Sequence, residues 1–318
     1  MRATMTGNAA RSPSSRNAVG LVGVGLMGMA FAHRLRSAGL PAVGFEVDPA
    51  RLERLAAIGG EGAGSVGEVA RRCAVILIVV FSGEQADAVI GEIAAASGAE
   101  AARPPRTLIL SITCDPDRAG ALGQRAAAAG LRFIEAPVSG TSDQVLRGDG
   151  VGLIGGEVPA DAELTAILDA LMPRRFNVGK VGDGAKAKLA VNLILNINRL
   201  ALAEGLVLAE RMGLDAKTFF EVARSSAAYS QVMDTKGGKM VSGDFTPHGR
   251  AAQALKDVRL MLAQAARAGQ QLPACEVAAE VLDSCVRHGE GERDSTVVVE
   301  EIRRRVGAPA AAQRRAAR

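Results

Sequence analysis

The sequence predicts an α/β protein in which a doubly wound sheet is followed by an all-helical C-terminal domain, the two joined by one long helix. Three observations carry this. Short apolar runs alternate with helical segments from Ala18 to about Val178, the strand pattern stops after Gly184, and an apolar helical stretch runs unbroken from there to about Met212. Continuous apolar runs suit strands buried on both faces of a parallel sheet, and strand–helix alternation is the pattern of doubly wound folds.

The expected strands are Ala18–Val24, Ala42–Val47, Ala74–Phe81, Thr107–Ile112, Leu131–Val138, Val151–Ile154 and Arg174–Val178. Asp48-Pro49 and Asp115-Pro116 each place a capping acid before a proline at the first helical position. Gly39, Gly98 and Gly130 mark helix ends. In the helical remainder, Gly213-Leu214-Asp215, Gly269 and Leu272-Pro273 separate successive segments through Arg287. The resulting division is a disordered tail at 1–17, a dinucleotide-binding domain at 18–183, the long helix with a helical domain at 184–302, and a basic tail at 303–318.

The chain has 318 residues, 48% of them hydrophobic and 23% charged, which is globular rather than disordered composition. Its net charge of +4 is unevenly placed: 1–17 holds three arginines and no acid, and 303–318 holds six arginines and no acid, so the remainder stands at about −5. With 3% aromatic residues and no tryptophan there is no set of base-stacking platforms, and nucleic acid is not an expected partner. Cys73, Cys114, Cys275 and Cys285 form no CxxC pair, and His33, His248 and His288 lie far apart, so no metal site is expected and buried thiols of a reducing, cytoplasmic compartment are. No apolar segment of a secretory signal stands at the N-terminus. The most apolar stretch, 189–209, contains Asn192, Asn196, Asn198, Arg199 and Glu204, and is read as a buried helix rather than a membrane span.

Gly23-Val24-Gly25-Leu26-Met27-Gly28 follows the first strand and opens the first helix. In a Rossmann-type fold the first glycine makes the tight turn, the second lets the backbone approach a pyrophosphate, and the third lets helix and strand pack closely. The helix N-terminus then offers N–H donors to the phosphates. Glu46, 23 residues past Gly23, ends the second strand where an acid holds the ribose hydroxyls. The next residue is Val47 and no cation for a 2′-phosphate is apparent, so NAD is expected over NADP.

Inventory narrows the chemistry. The only tyrosine, Tyr229, has Met233 four residues on, so a Tyr-x-x-x-Lys pair is absent. Zinc ligands and a suitably placed histidine relay are missing too, which leaves lysine as the base. Lys188 and Asn192 stand at i, i+4, one turn apart on one helix face, just past Gly179-Lys180-Val181-Gly182-Asp183-Gly184. Apolar surroundings would lower the pKa of that lysine toward the range of a general base. By itself the stripe reads as a solvated face, since Asn196 and Arg199 continue it.

Four segments in this order resemble the β-hydroxyacid dehydrogenase family over about residues 18–290: Gly23 to Gly28, Ala136-Pro137-Val138-Ser139-Gly140, Gly182-Asp183-Gly184 with Lys188 and Asn192, and Lys256-Asp257. The resemblance implies Lys188 as general acid/base, and Ser139, Gly140, Asn192 and Lys256 at a small carboxylate substrate. It also implies Thr113 and Lys256 near the nicotinamide, and a homodimer or homotetramer. The implied reaction interconverts a small 3-hydroxy acid with its semialdehyde or 3-oxo acid. Thr141 stands where members commonly have a second glycine, Val191 where they have asparagine, and Phe81-Ser82 where they have Leu-Pro. Two alternatives stay open: an imine reductase, a class that replaces the lysine, and a non-catalytic nucleotide-binding regulator.

Overall fold

A computed structural model describes residues 18–97 and 106–306. The expected tail at 1–17, the helix end at Gly98 and residues 307–318 lie outside the described residues. The chain divides into two compact units, Met1–Ala185 and Lys186–Arg318.

The first unit is a sheet of β1 (Val19–Val22), β2 (Ala42–Phe45), β3 (Glu61–Gly62), β4 (Val75–Ile78), β5 (Thr107–Leu110), β6 (Arg132–Glu135), β7 (Val138–Ser139), β8 (Val151–Gly155) and β9 (Arg174–Gly179). Its order is β3-β2-β1-β4-β5-β6-β8-β7, with β9 on β8. The six strands from β3 to β6 are parallel, and β8 runs antiparallel to β6. The strand order reverses between β1 and β4, the switch point where such sheets bind ligands. The helices of this unit are α1 (Leu26–Ser37), α2 (Pro49–Ala57), α3 (Val66–Arg72), α4 (Gly83–Ser97), α5 (Pro116–Ala128), α6 (Ser142–Arg147) and α7 (Ala162–Leu171).

Both sheet faces are covered. Val22, Ile76, Ile78, Leu108 and Leu110 belong to one core, and Leu21, Leu77, Ile109 and Ile134 to the other. That explains why the strands read as unbroken apolar runs. The first five long strands are shorter than their runs, because the outer residues turn into loops at the sheet edge, while β8 and β9 each extend one residue past theirs, to Gly155 and Gly179. The run Leu131–Val138 is two strands, interrupted at Ala136-Pro137 where proline has no N–H for a ladder. β3 is two exposed residues and has no apolar signature to read. Asp48 accepts from Ala50 N and Asp115 from Asp117 N, capping α2 and α5 as their sequences predict.

α8 (Asp183–Arg211) begins where the first unit ends and runs through the second, which adds α9 (Ala216–Arg224), a π-helical turn (Met233–Gly237), α10 (Gly238–Ser242), α11 (Ala251–Arg267), α12 (Pro273–Arg287), a 3₁₀ turn (Ser295–Val297) and α13 (Val298–Arg304). By length and composition α8 could cross a membrane. Leu200, Leu202, Ala203, Leu206 and Val207 instead pack in the second unit's core with residues of α11, α12 and α13. The basic tail expected from Arg303 starts too early. Arg303 pairs with Glu210 and Glu300, Arg304 with Glu290 and Glu301, and Arg305 with Glu280 and Glu301, because the arginine run meets acids from four elements.

Candidate active site

In the first unit the glycine motif forms a cradle at the end of β1. Gly23 has φ +95, and a Cβ there would lie 2.4 Å from the Val79 carbonyl oxygen. A Cβ on Gly28 would lie 2.1 Å from the Gly23 carbonyl oxygen, so helix and turn touch only because both residues are glycine. Gly25 precedes α1 without a side-chain cap, and no acid occupies the first turn, which leaves those N–H donors suited to an anion. Val24 is buried, Leu26 exposed and Met27 half-buried. Glu46, at the end of β2, accepts from Val24 N at 2.9 Å and from Val47 N at 3.0 Å. These features fit a dinucleotide.

One premise of the cofactor reading fails. A cation does stand beside Glu46: Arg51, from the first turn of α2, places Nη1 3.3 Å from Glu46 Oε2 and Nε 3.2 Å from Asp48 Oδ2. Five residues separate Glu46 from Arg51, and the helix turn brings them back together.

Thr113 is half-buried in the loop after β5, at the sheet edge that also carries Gly23. Ser139 ends β7, and Gly140 has φ +150 with room for a Cβ only 3.3 Å from Gly150 Cα. The departure at Thr141 has a local cause. Its Oγ1 accepts from Gln144 N while Gln144 Oε1 accepts from Thr141 N, a capping box that starts α6. Ser82 and Gln85 start α4 in a similar way, with Phe81 N donating to Gln85 Oε1.

The entry to α8 is held by a residue that sequence reading passed over. Glu135, at the end of β6, is buried and accepts from Gly182 N at 2.7 Å, with the backbone N–H groups of Ala185 and Gly184 also directed at it. Burial raises its pKa despite these donors. An acid inside an apolar strand run was the available signal.

In the second unit the polar stripe of α8 is not solvated. Lys188, Asn192 and Asn196 are all buried. Asn192 Nδ2 donates to Asp257 Oδ2 at 3.1 Å, and Asn196 Nδ2 donates to the Asn192 carbonyl at 2.7 Å. Arg199 donates to Asn196 and, at 2.9 Å, to Ser295 Oγ. Lys256 Nζ lies 3.3 Å from Asp257 Oδ1, to which Gln253 also donates. The structure therefore groups Lys188, Asn192, Lys256 and Asp257. The Lys188 pKa falls to about 8: burial drives it down, Asp257 opposes, and Lys256 assists. Burial raises that of Asp257 against the pull of Lys256 and Lys188.

A further buried pair supports this group. Lys236, in the π-helical turn, donates to both carboxylate oxygens of Asp294 at 2.9 and 2.7 Å. Asp294 also accepts from His248 N, Gly249 N and Thr296 N, and so fixes the segment that leads into α11 and its Lys256-Asp257. The partners are 58 residues apart, and no local pattern announces them.

Sheet order, glycine cradle and terminal acid define a nucleotide-binding oxidoreductase of Rossmann type. Residues 18–179 match the NAD-binding domain of 6-phosphogluconate dehydrogenase, and 182–302 match the NAD-binding domain of NADP-dependent 3-hydroxyisobutyrate dehydrogenase. An L-threonate dehydrogenase of Cupriavidus necator is 31% identical over 89% of this chain and 95% of its own. Glyoxylate/succinic semialdehyde reductase 2 of Arabidopsis thaliana is 26% identical over 92% and 82%. Among solved structures, 3-hydroxyisobutyrate dehydrogenase from Salmonella typhimurium superimposes with a TM-score of 0.82 at 26% identity, covering 89% of this chain and 99% of that one. The chain belongs to the β-hydroxyacid dehydrogenase family.

Proposed function

We propose that the protein is an NAD-preferring dehydrogenase that interconverts a small 3-hydroxy acid with its semialdehyde or 3-oxo acid, with Lys188 as general acid/base. The observation that carries this is the buried Lys188, with its pKa brought down to about 8, beside Asn192, Lys256 and Asp257. A lysine at its ordinary pKa is almost wholly protonated at neutral pH, whereas at about 8 roughly one molecule in ten carries the free amine at pH 7.

When bound at the glycine cradle, a nicotinamide dinucleotide supplies the hydride acceptor or donor. Lys188 Nζ takes the hydroxyl proton as the carbon loses hydride, and returns it in the reverse direction. Asp257 favours the ammonium that forms, so the base becomes easier to protonate where protonation is required. The family resemblance assigns Asn192, oriented by Asp257, and Lys256 in the second unit, and Ser139 and Gly140 in the first, to the substrate and its carboxylate. Gly23 to Gly28 and Glu46 are assigned to the dinucleotide, and by the same resemblance Thr113 and Lys256 to the nicotinamide. Glu46, fixed by two backbone donors, suits an unphosphorylated ribose and supports NAD preference.

Exposed Ile194, Leu208, Met212 and Leu214 in the second unit support self-association as a homodimer or homotetramer. The four buried free cysteines suit a cytoplasmic setting.

The test is initial-rate oxidation of a panel of small 3-hydroxy acids with NAD, using wild type and Lys188→Ala. The variant is expected to lose about 10²–10⁴ in kcat while binding ADP-ribose as wild type does. Turnover undiminished in Lys188→Ala would remove the lysine from the mechanism. A chain that binds ADP-ribose but oxidises no member of the panel would point to the regulator instead.

A further inference from the structure

We infer that Lys236 and Asp294 are positioning residues for the reaction: their buried ion pair fixes the start of α11 against α8 and so holds Asp257 beside Lys188. This rests on the reading of Lys188 as the general base and adds to it the device that places its carboxylate.

Asp294 is the hub. Fully buried, it accepts from Lys236 Nζ on both oxygens and from the N–H groups of His248, Gly249 and Thr296. Backbone bonds join the two irregular segments on either side of it: Asp294 N donates to the Phe245 carbonyl at 2.8 Å, and Ser295 N to the Gly249 carbonyl at 2.9 Å. α11 starts on this join. Arg250 gives the helix no side-chain cap; its first N–H groups, at Ala251 and Ala252, donate instead to the carbonyls of Arg293 and Gly291, both at 2.9 Å. Lys256 and Asp257 follow in the second turn, so their placement is inherited from the segment that Asp294 holds.

The contacts close into a ring on α8. Arg199 donates to Ser295, the residue after Asp294, and to Asn196; Asn196 donates to the Asn192 carbonyl, and Asn192 to Asp257. Two cross-links, Arg199 to Ser295 and Asn192 to Asp257, thus tie α11 and the segment before it to the face of α8 that bears Lys188. Lys236 enters this ring from a π-helical turn, a widened turn that recurs at functional sites. A Cβ on Gly237 would lie 2.2 Å from the Phe220 ring, so the turn is packed tight immediately after its lysine.

Stability alone is a poor reason for such a pair. Desolvation offsets much of the attraction between two buried charges, and apolar side chains of like volume are often as stable. Apolar side chains cannot, however, accept three backbone N–H groups and fix their directions, as a satisfied polar network does. The charged groups facing Lys236 are Asp294, Arg199 of α8 and Lys239 of α10. Those acting on Lys188 are Asp257 and Lys256 of α11. Neither member of the pair is among the latter, so the pair reaches Lys188 through the position of Asp257 and not through its own field.

The experiment follows the titration of Lys188 in the full chain by competitive acetylation with acetic anhydride, read by mass spectrometry across the alkaline range, which needs no turnover. Oxidation of the panel of 3-hydroxy acids is measured in parallel. Asp257 opposes the fall of the Lys188 pKa, so a displaced Asp257 lets the midpoint drop below about 8. Lys236→Met is expected to lower it by about half to one unit, and to cut kcat by about ten- to a hundred-fold through misplacement of the group. Lys236→Arg, which keeps a cation for Asp294, should restore both. In an Asp257→Asn background, Lys236→Met should move the midpoint no further. If Lys236→Met does not fold, the neutral pair Lys236→Gln with Asp294→Asn takes its place with the same expectations. A midpoint that stays or rises in the folded variant would reduce the pair to a structural one and overturn the inference, as would a further drop in the Asp257→Asn background. A midpoint that drops as expected in a chain that oxidises no member of the panel would keep the placement of Asp257 and sink the reading of Lys188 as a base.

Discussion

Replacing Lys256 by Met and Asp257 by Asn should move the basic limb of the pH–rate profile in opposite directions. Burial is the largest influence on Lys188, followed by the negative charge of Asp257 and then the positive charge of Lys256. Charges of either sign about 5–8 Å away at an effective dielectric of about 20 are worth roughly 2–3 kcal/mol, or one to two pH units. Asp257→Asn removes the larger opposing charge, and the limb should fall from about 8 by one to two units. Lys256→Met removes the smaller assisting charge, and the limb should rise by about half to one unit. At pH 7 a one-unit rise cuts the free-amine fraction from about a tenth to about a hundredth. The assay is kcat/KM for oxidation of the best 3-hydroxy acid between pH 6 and 10. In Lys256→Met the loss at pH 7 should recover at high pH, whereas a pure loss of substrate binding would raise KM at every pH. Shifts in the same direction, or none, would refute the electrostatic account of the base.

Two further outcomes concern stability. The folded Lys188 titrates below its ordinary 10.5, so its charged form is disfavoured by roughly 3 kcal/mol at pH values under about 8, a penalty that fades as pH rises to 10.5. Lys188→Met should therefore be more stable than wild type at pH 7, by about 1–2 kcal/mol once the loss of a cation beside Asp257 is allowed for, and the gain should vanish near pH 10.5. Urea midpoints at the two pH values check this, and a gain that persists at pH 10.5 would contradict it. Glu135→Ala strands the N–H groups of Gly182, Gly184 and Ala185 and leaves a cavity, and should cost about 2–4 kcal/mol. An unchanged unfolding midpoint would mean that the α8 entry holds without its acid.

What could be read in the chain was local. The glycine motif and the Asp-Pro caps each act over a few residues, and the structure has the turn before α1 and both caps where those residues stand. Lys188 and Asn192 were legible by their i, i+4 spacing, but their burial could be read only from the apolar residues around them, because the stripe by itself serves equally well as a solvated face. Its partners come from elsewhere: Asp257 is 65 residues beyond Asn192, and Asp294 is 58 beyond Lys236. Arg51 was missed by looking one residue past Glu46 rather than one helical turn past it. Thr141 looked like a departure at the substrate segment, while Thr-x-x-Gln is also the signature of the capping box it forms. The arginine run at 303–305 looked like a tail because its acids lie in α8, α12, α13 and the segment between α12 and α13.

The charge balance along α8 gives a physical reason for Lys188 to be the group that yields its proton. The buried polar file and its immediate neighbours hold four cations, Lys188, Arg199, Lys236 and Lys256, against two anions, Asp257 and Asp294. Lys236 has Asp294 in direct contact on both oxygens, and Lys256 has Asp257. Arg199, though burial lowers it to about 10, retains its proton at neutral pH. The excess positive charge is most easily relieved where an amine is fully desolvated and its nearest carboxylate is shared, which is Lys188. An arriving carboxylate relieves the same excess from outside, and its charge would in turn raise the affinity of Lys188 for a proton. Under the proposed function, a group poor in anions would couple substrate attraction to the readiness of Lys188 as base, each drawing on the same unbalanced charge.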